Sequence, residues 1–346
     1  MSSTPGAVSA TGAAPASVLP MADSHNDLLL GVLHQRERGH TDPFGDFWLP
    51  QLKAGNVVLQ VLPVYTEEQY VGEGALRRAL LVIQAARELA ALHRDEVAIV
   101  ETASELREVI ASGRIALVLA FEGMEPVGGD LAVLDAFFRL GIRIASFTWN
   151  RRTQFADGAG ENDTGGRLTR LGAAAVAHME RTGMILDVSH LSDHGLWHVA
   201  ELAHKPFVAS HSSCRALTAH PRNLPDDGLR AIAGSGGFIG INAFGGFLAE
   251  QNATLDDFIH HVRHAVDVVG AEHVGLGLDF VEDTFALMDV VLGGLLLPAD
   301  VPTVPGLQRP ADLAGLGTRM TEMLGADVAR RVAAATMIDR LAELLP

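Results

Sequence analysis

Two short apolar runs that each lead into a histidine constrain the fold of this chain more than any other feature. The run Met184–Val188 leads to His190, and the run Pro206–Ser210 leads to His211. Residues 191–205 between them are typical of a helix. Apolar run, helix and second apolar run form the pattern of a βαβ unit, whose parallel strands end at the same edge of a sheet. We therefore expect both imidazoles at one edge, an arrangement that suggests metal binding.

The same alternation of strand and helix continues along the chain. Eight predicted strands end at the residues Asp27, Tyr65, Glu122, Trp149, His190, His211, Phe244 and Asp279. Alternating strands and helices predict a parallel sheet, and eight units predict a closed (β/α)8 barrel of the TIM type. We expect residues 21–346 to form one such domain. Residues 1–20 are rich in Ala, Ser, Pro and Thr, which predicts a disordered arm.

Composition narrows the possible partners and the compartment. The formal net charge is −16, so we expect neither a nucleic-acid partner nor an anionic membrane surface. The single cysteine, Cys214, rules out an intrachain disulfide, and we expect it to be a spectator thiol. Residues 1–20 lack the basic start and continuous apolar core of a signal peptide. We therefore predict a cytoplasmic protein that acts on a small molecule.

Polar residues stand at the ends of otherwise apolar predicted strands. In parallel barrels the carboxyl ends of the strands carry the catalytic groups. Polar residues there cost free energy unless they are paired or bound to a metal ion. The six residues concerned are His25, Asp27, Glu122, His190, His211 and Asp279.

The types and spacing of these residues suit two divalent ions. His25 and Asp27 are two positions apart, so on a strand they face the same side and can hold one ion. Glu122 has two carboxylate oxygens and can bridge two ions, while His190 and His211 can complete the second site. Three imidazoles and two carboxylates are ligands for Zn²⁺ or a similar ion. Two ions about 3.5–4 Å apart would hold a bridging water and lower its pKa towards neutrality.

Two further residues complete a hydrolytic site. Asp279 is left over when ligands are counted, and it can take a proton from the nucleophile and pass it to the leaving amine. Arg222 offers a planar fork for a substrate carboxylate. A single His-x-Asp pair is weak support for a metal site, but the ordered set at successive strand ends is specific.

These motifs resemble those of the membrane dipeptidase family, metallopeptidases (family M19) with an amidohydrolase-type barrel. The resemblance covers the chain from about Asp23 to Phe280 with the motifs in the right order. The segments that carry it are Asp23–Asp27 (DSHND), Glu122–Gly123, Asp187–His190 (DVSH), Ser210–Ser213 (SHSS), Arg222–Asp227 (RNLPDD) and His273–Phe280 (HVGLGLDF).

The resemblance implies a binuclear zinc centre and a dipeptide substrate. It implies His25 and Asp27 on one ion, Glu122 as the bridge, and His190 with His211 on the other ion. It also implies that Asp279 is the proton carrier and that Arg222, followed by Asn223, holds the substrate carboxylate. Members of the family often accept a D-residue at the C-terminal position of the dipeptide, and they are often homodimers.

The chain departs from the family pattern in the expected pocket wall. Trp149 stands where many members have a histidine, and Phe244 stands where animal members have a tyrosine. Val281-Glu282 replaces the usual Asp-Gly. The metal ligands are unaffected, so Trp149 and Phe244 are candidate substrate contacts that bear on specificity.

Two other functions compete with a dipeptidase. Other amidohydrolase-type enzymes cleave lactones, β-lactams, N-acyl amino acids or phosphotriesters. Lactonases and phosphotriesterases usually bridge their metals with a modified lysine late in the fourth strand, and this chain has no lysine there. A catalytically silent barrel that serves as a binding protein should have lost a metal ligand, and none of the expected ligands is missing.

Overall fold

The computed structural model describes residues 18–282 and 302–346. Most of the predicted N-terminal arm and most of the weakly patterned segment between Val281 and Pro310 therefore lie outside the described residues. No helix in the described ranges is both long enough and apolar enough to cross a bilayer.

The strands form one sheet in which every pair runs parallel. They are β1 Met21–Asp23, β2 Val57–Tyr65, β3 Val97–Ile99, β4 Ile115–Glu122, β5 Ile142–Ser146, β6 Ile185–Asp187, β7 Phe207–Val208, β8 Ile239–Ile241 and β9 Val274–Leu276.

Eight of these strands follow in the order β7-β6-β5-β4-β2-β1-β9-β8, with β3 beside β4. A bridge between Ala209, just after β7, and Ile239 joins the two ends. The sheet is thus a nearly closed eight-stranded barrel, which confirms the predicted fold class.

Helices surround the barrel and alternate with its strands. Two helices joined by the π-helical turn Arg331–Ala335 end the chain. A second π-helical turn covers Phe44–Trp48. The α-helices are Leu28–Glu37, Leu49–Ala54, Glu73–Leu92, Ala103–Ala111, Leu131–Arg139, Arg170–Thr182, Asp193–Leu202, Asp226–Ser235, Gly245–Leu248, Leu255–Val269, Leu313–Leu324, Ala326–Arg330 and Thr336–Leu344.

Alternation along β4 shows how the fold directs a polar side chain to the barrel axis. Phe121 faces outward and packs edge-on against Phe137 of the helix Leu131–Arg139, with ring centroids 4.7 Å apart. Its neighbours Ala120 and Glu122 therefore point to the opposite, inner face. Glu122 is the last residue of β4, so its carboxylate lies at the mouth of the barrel interior.

Several strands end earlier than predicted because aspartates take over the backbone hydrogen bonds. At the end of β1, Asp23 Oδ1 accepts from the backbone N–H groups of His25 (3.2 Å) and Leu278 (2.8 Å). At the end of β6, Asp187 Oδ1 accepts from those of Ser189 and Ser210, both at 2.9 Å. The chain leaves the sheet at these points. The histidines that follow are therefore carried on tight turns rather than on the strands themselves.

Candidate metal and substrate site

Three imidazoles converge on one carboxylate oxygen where the barrel strands end. Glu122 Oε1 lies 2.9 Å from His190 Nε2, 3.5 Å from His211 Nε2 and 3.7 Å from His25 Nε2. The Nε2 atoms of His190 and His211 are only 2.7 Å apart. All four side chains are buried. The structure therefore brings together residues that are separated by up to 186 positions in sequence, His25 and His211.

Two aspartates extend this cluster towards the solvent side. His25 Nε2 lies 3.6 Å from Asp27 Oδ2 and 4.0 Å from Asp279 Oδ1. His25 belongs to two groups whose possible ligand atoms lie within 4.8 Å of one another, one with Glu122 and His211 and one with Asp27 and Asp279. The five predicted ligands thus form one cluster. Asp279, which was predicted only as a proton carrier, is also within ligand distance of that cluster.

Hydrogen bonds at the far side of two rings fix which nitrogen faces the cluster. His190 Nδ1 lies 2.8 Å from Asn150 Oδ1, an oxygen that can only accept, so Nδ1 carries the proton. His211 Nδ1 lies 2.8 Å from Ser210 Oγ, which itself donates to Asp187 Oδ2 at 2.5 Å. Both Nε2 atoms therefore present lone pairs towards Glu122. Asp187 thus supports His211 through the Ser210 hydroxyl.

The pKa shifts of the buried groups indicate that a cation would stabilise the cluster. Burial lowers the pKa of His190 and of His211 well below the ordinary value, so both rings are neutral. Burial, followed by the charge of Asp27, raises the pKa of Glu122. Burial also opposes a charge on His25, yet Glu122 and Asp27 outweigh it and raise the pKa of His25 to about 10.

The polar atoms of the cluster that have no hydrogen-bond partner also suit a metal ion. Two imidazole lone pairs face each other and a carboxylate, and this arrangement is unfavourable unless a positive charge lies between them. His25 Nε2 and Asp27 Oδ1 are buried and have no hydrogen-bond partner in the described part of the chain. Neutral imidazoles held by hydrogen bonds through their other nitrogen, together with carboxylates, are the donors that divalent metals use. These residues therefore fit a metal centre.

Two residues of the cluster have left-handed backbone conformations. The φ angle is 65° at His190 and 56° at Asp279. Such angles are uncommon for residues other than glycine, and they persist where surrounding contacts enforce them. Asp279 is held by its backbone N–H, which donates to His25 O at 3.1 Å, and by Asn242 Nδ2, which donates to its Oδ2 at 3.0 Å. These contacts leave Asp279 Oδ1 facing His25.

A cavity of about 340 Å³ opens above the cluster. Its lining is polar at the metal-binding cluster and mostly aromatic or aliphatic elsewhere. The lining residues are Asp27, Leu30, Tyr65, Glu122, Trp149, Asn150, His190, His220, Arg222, Phe244, Phe247, Asp279 and Val281.

Arg222 supplies a cation on the cavity wall. Its side chain is buried, and Nη2 donates to His211 O at 3.0 Å. Nε is buried and has no partner among residues 18–282 and 302–346. Burial lowers the pKa of Arg222 to about 10, so the group stays charged at neutral pH. The guanidinium is therefore able to receive an anion from the cavity.

Of the other three predicted substrate contacts, two line the cavity and one does not. Trp149 and Phe244 line the cavity as predicted. The Trp149 ring lies 5.5 Å from that of Tyr65 and 5.9 Å from that of His190, measured between centroids. Asn223 does not line the cavity, because its Nδ2 donates to Thr218 O and Phe247 O at 2.9 and 2.7 Å. Asn223 therefore holds the short helix Gly245–Leu248, which carries Phe247.

Sequence reasoning missed six lining residues, of which Leu30 and Val281 are aliphatic and four are aromatic or polar. Tyr65 was recognised only as a strand end, although an aromatic residue there is a usable signal. Asn150 follows the fifth strand closely enough to have been included. Phe247 lies in the short helix Gly245–Leu248 and His220 lies in a loop, and no sequence pattern indicates how either segment is oriented. The four were not proposed as site residues, yet all of them border the cavity.

Cys214 stays outside the chemistry of the site. It is buried, its Sγ lies 3.4 Å from His261 O, and burial raises its pKa to about 12. A thiol with that pKa is unreactive at neutral pH. His261 itself is also buried.

Known proteins are similar to this chain in both sequence and fold. Residues 16–292 match the membrane dipeptidase family, peptidase family M19. Dipeptidase verJ of Clonostachys rogersoniana is 35% identical over 209 residues, which make up 60% of this chain. The chain spans about half, 53%, of the length of that relative.

Two solved structures superpose on the whole barrel. The crystal structure of the dipeptidase AC, a metallo peptidase of family M19, has a TM-score of 0.84 at 28% identity and covers 95% of this chain and 99% of its own. A metallo peptidase from Rhodobacter sphaeroides has a TM-score of 0.82 at 27% identity, with 95% and 100% covered. The Rhodobacter structure holds a phosphinate mimic of the dipeptide L-Ala-D-Ala.

Proposed function

The chain belongs to the membrane dipeptidase family, peptidase family M19, and from this premise we propose that it is a zinc-dependent dipeptidase. One observation carries the proposal. Neutral imidazole lone pairs and buried carboxylates converge at the bottom of a cavity that also holds a single buried arginine. That combination suits a small substrate with one carboxylate and one bond to hydrolyse.

Five residues would hold two Zn²⁺ ions. Their donors are nitrogen and carboxylate oxygen, which are ligands that zinc prefers. Ions bound there would polarise the scissile carbonyl and lower the pKa of the attacking water. The ligands are His25, Asp27, Glu122, His190 and His211.

The remaining residues bind the substrate and move the proton. Arg222 receives the C-terminal carboxylate and so fixes the scissile carbonyl over the cluster. As water attacks the carbonyl carbon, Asp279 Oδ1 takes the proton that the water loses. The C–N bond then breaks, and the same oxygen returns the proton to the departing amine nitrogen. One water is consumed and two amino acids are released. Burial raises the pKa of Asp279, as suits a group that must accept a proton.

The cavity and a relative support a dipeptide with a D-residue at its C-terminal position. A volume of about 340 Å³ is at the small end of ligand pockets, so a longer peptide would have to extend outside it. The Rhodobacter relative binds a mimic of L-Ala-D-Ala. The same acceptance of a D-residue is proposed for this chain.

Metal content and turnover together test the function. Purified protein is stripped with a chelator, reloaded with Zn²⁺, and given matched L,L and L,D dipeptides, with a lactone and a β-lactam as competing substrates. We expect two zinc ions per chain, dipeptide turnover only in the loaded form, and the highest kcat/KM on a dipeptide. Full turnover by stripped protein would contradict the metal role, and higher kcat/KM on the lactone would contradict the substrate class.

A further inference from the structure

His220 stands on the cavity wall beside the arginine, and neither the proposed metal site nor the proton transfer uses it. It precedes Arg222 by two positions. Its ring lies 4.6 Å from the ring of Phe247, and the Arg222 guanidinium lies 5.5 Å from that same ring, both measured to the centroid. The imidazole and the guanidinium therefore pack on one aromatic ring at the same side of the cavity.

A backbone hydrogen bond fixes the tautomer of His220. The backbone N–H of Arg222 donates to His220 Nδ1 at 3.1 Å. A backbone N–H is only a donor, so Nδ1 accepts and the ring proton of the neutral form is on Nε2. Nε2 has no hydrogen-bond partner within the described ranges. His220 thus offers a donor with a fixed orientation.

We propose that His220 Nε2–H is a second donor to the C-terminal carboxylate of the substrate, next to Arg222. This inference rests on the proposed dipeptidase function. Arg222 Nη2 donates to His211 O, so part of the guanidinium is already hydrogen-bonded within the protein. A carboxylate has two oxygens with about four acceptor positions, so it is incompletely satisfied by the rest of one guanidinium. His220 makes the pocket specific for a free carboxylate.

Two substitutions test the contributions of the two ring nitrogens of His220 separately. His220→Asn keeps an acceptor for the Arg222 N–H, because an asparagine oxygen bonds the N–H two residues on, but it removes the distal donor. His220→Gln places an amide N–H near the position of Nε2 and gives up the near acceptor. The pair tests the donor separately from the turn.

Kinetics of zinc-loaded enzyme give the readout. For His220→Asn we expect KM for a dipeptide to rise about tenfold with little change in kcat, as for loss of one hydrogen bond to a charged group. His220→Gln should recover most of that loss. On an aminoacyl alkylamide, which lacks the carboxylate, His220→Asn and wild type should have the same KM.

Other results would overturn the inference in distinct ways. An unchanged KM in His220→Asn, equal losses in both variants, or the same loss on the alkylamide would each show that His220 does not bind the carboxylate. Wild type that turns over dipeptides in any of these cases leaves the proposed function intact. Wild type that turns over no dipeptide removes the proposed function, and the inference with it.

Discussion

The cavity has a floor and a wall that are built by different physical means. The floor side chains are cross-linked by hydrogen bonds and charge, and most are fully buried. Of the wall side chains, Tyr65 is buried and the other three are half-buried, and all four pack through ring contacts. The floor comprises His25, Asp27, Glu122, His190, His211 and Asp279, and the wall comprises Tyr65, Trp149, Phe244 and Phe247.

The difference teaches where change is tolerated. Each floor residue contributes a donor atom or a charge to one cluster, so removing one leaves fewer donors for a metal ion and changes the charge around buried neighbours. A wall ring loses only area and a ring contact when it is replaced, and part of that area lines the cavity. We therefore expect floor substitutions to act on kcat and metal affinity, and wall substitutions to act on substrate preference.

The largest expected effect in this contrast is that of Asp279→Asn. Asparagine tolerates the φ of 56° and can keep the hydrogen bond with Asn242, so the fold is preserved. The change removes the proton acceptor, and we expect kcat to fall about 10²–10⁴-fold with zinc content unchanged. Steady-state kinetics and metal analysis of the same preparation check this. A kcat within twofold of wild type would show that the floor holds a different general base.

The floor could be predicted from sequence because the fold leaves those residues little freedom. In a parallel barrel the carboxyl ends of all strands meet, so polar residues at the ends of apolar runs must converge. Strand lengths were less predictable, since Asp23 and Asp187 end β1 and β6 by accepting backbone hydrogen bonds themselves. The strand β3, which pairs with β4 and lies outside the order of the eight barrel strands, was not predicted. A single domain, a cytoplasmic location and a homodimer stay predictions.

A smaller effect is expected when the hydrogen bond that orients a floor histidine is removed. Ser210→Ala removes the hydroxyl that links His211 Nδ1 to Asp187, and the ring then loses its fixed orientation. Zinc affinity should fall about 10–100-fold, as for other supports of ligating histidines. Calorimetric titration of stripped protein with Zn²⁺ measures it.

Ser212→Ala is the matched control for that experiment. Ser212 flanks His211 on the other side and is also buried, but among the residues that the structure describes its Oγ meets only the hydroxyl of Ser189, at 3.3 Å. Zinc affinity should stay within about twofold of wild type, because no metal-ligand ring loses a partner. Equal losses in both variants would mean that repacking, not the hydrogen bond to His211, sets the affinity.

The wall was less predictable because only one of its four residues, Tyr65, ends a strand, whereas the others lie in loops or in the short helix Gly245–Leu248. Trp149 and Phe244 were found from their departure from the family pattern, whereas Phe247 was not. Asn223 shows the limit of such reasoning. Its motif suggests a substrate contact, yet its amide is used on the backbone of Thr218 and Phe247. A motif thus indicates that a residue belongs to the site, but the backbone groups around it determine which way its side chain turns.

The smallest expected effect is at Trp149, where the wall can be changed without disturbing the floor. Its ring packs on Tyr65, and the Arg151 guanidinium lies 5.6 Å from it. Trp149→His makes this part of the wall polar, so the preference for a substrate leucine over the similarly sized asparagine should fall about tenfold in kcat/KM. Trp149→Phe keeps an apolar wall and should keep the preference. Dipeptides varied at one position at a time would show which substrate residue faces Trp149. An unchanged preference at both positions in Trp149→His would mean that this ring only shields the floor from water.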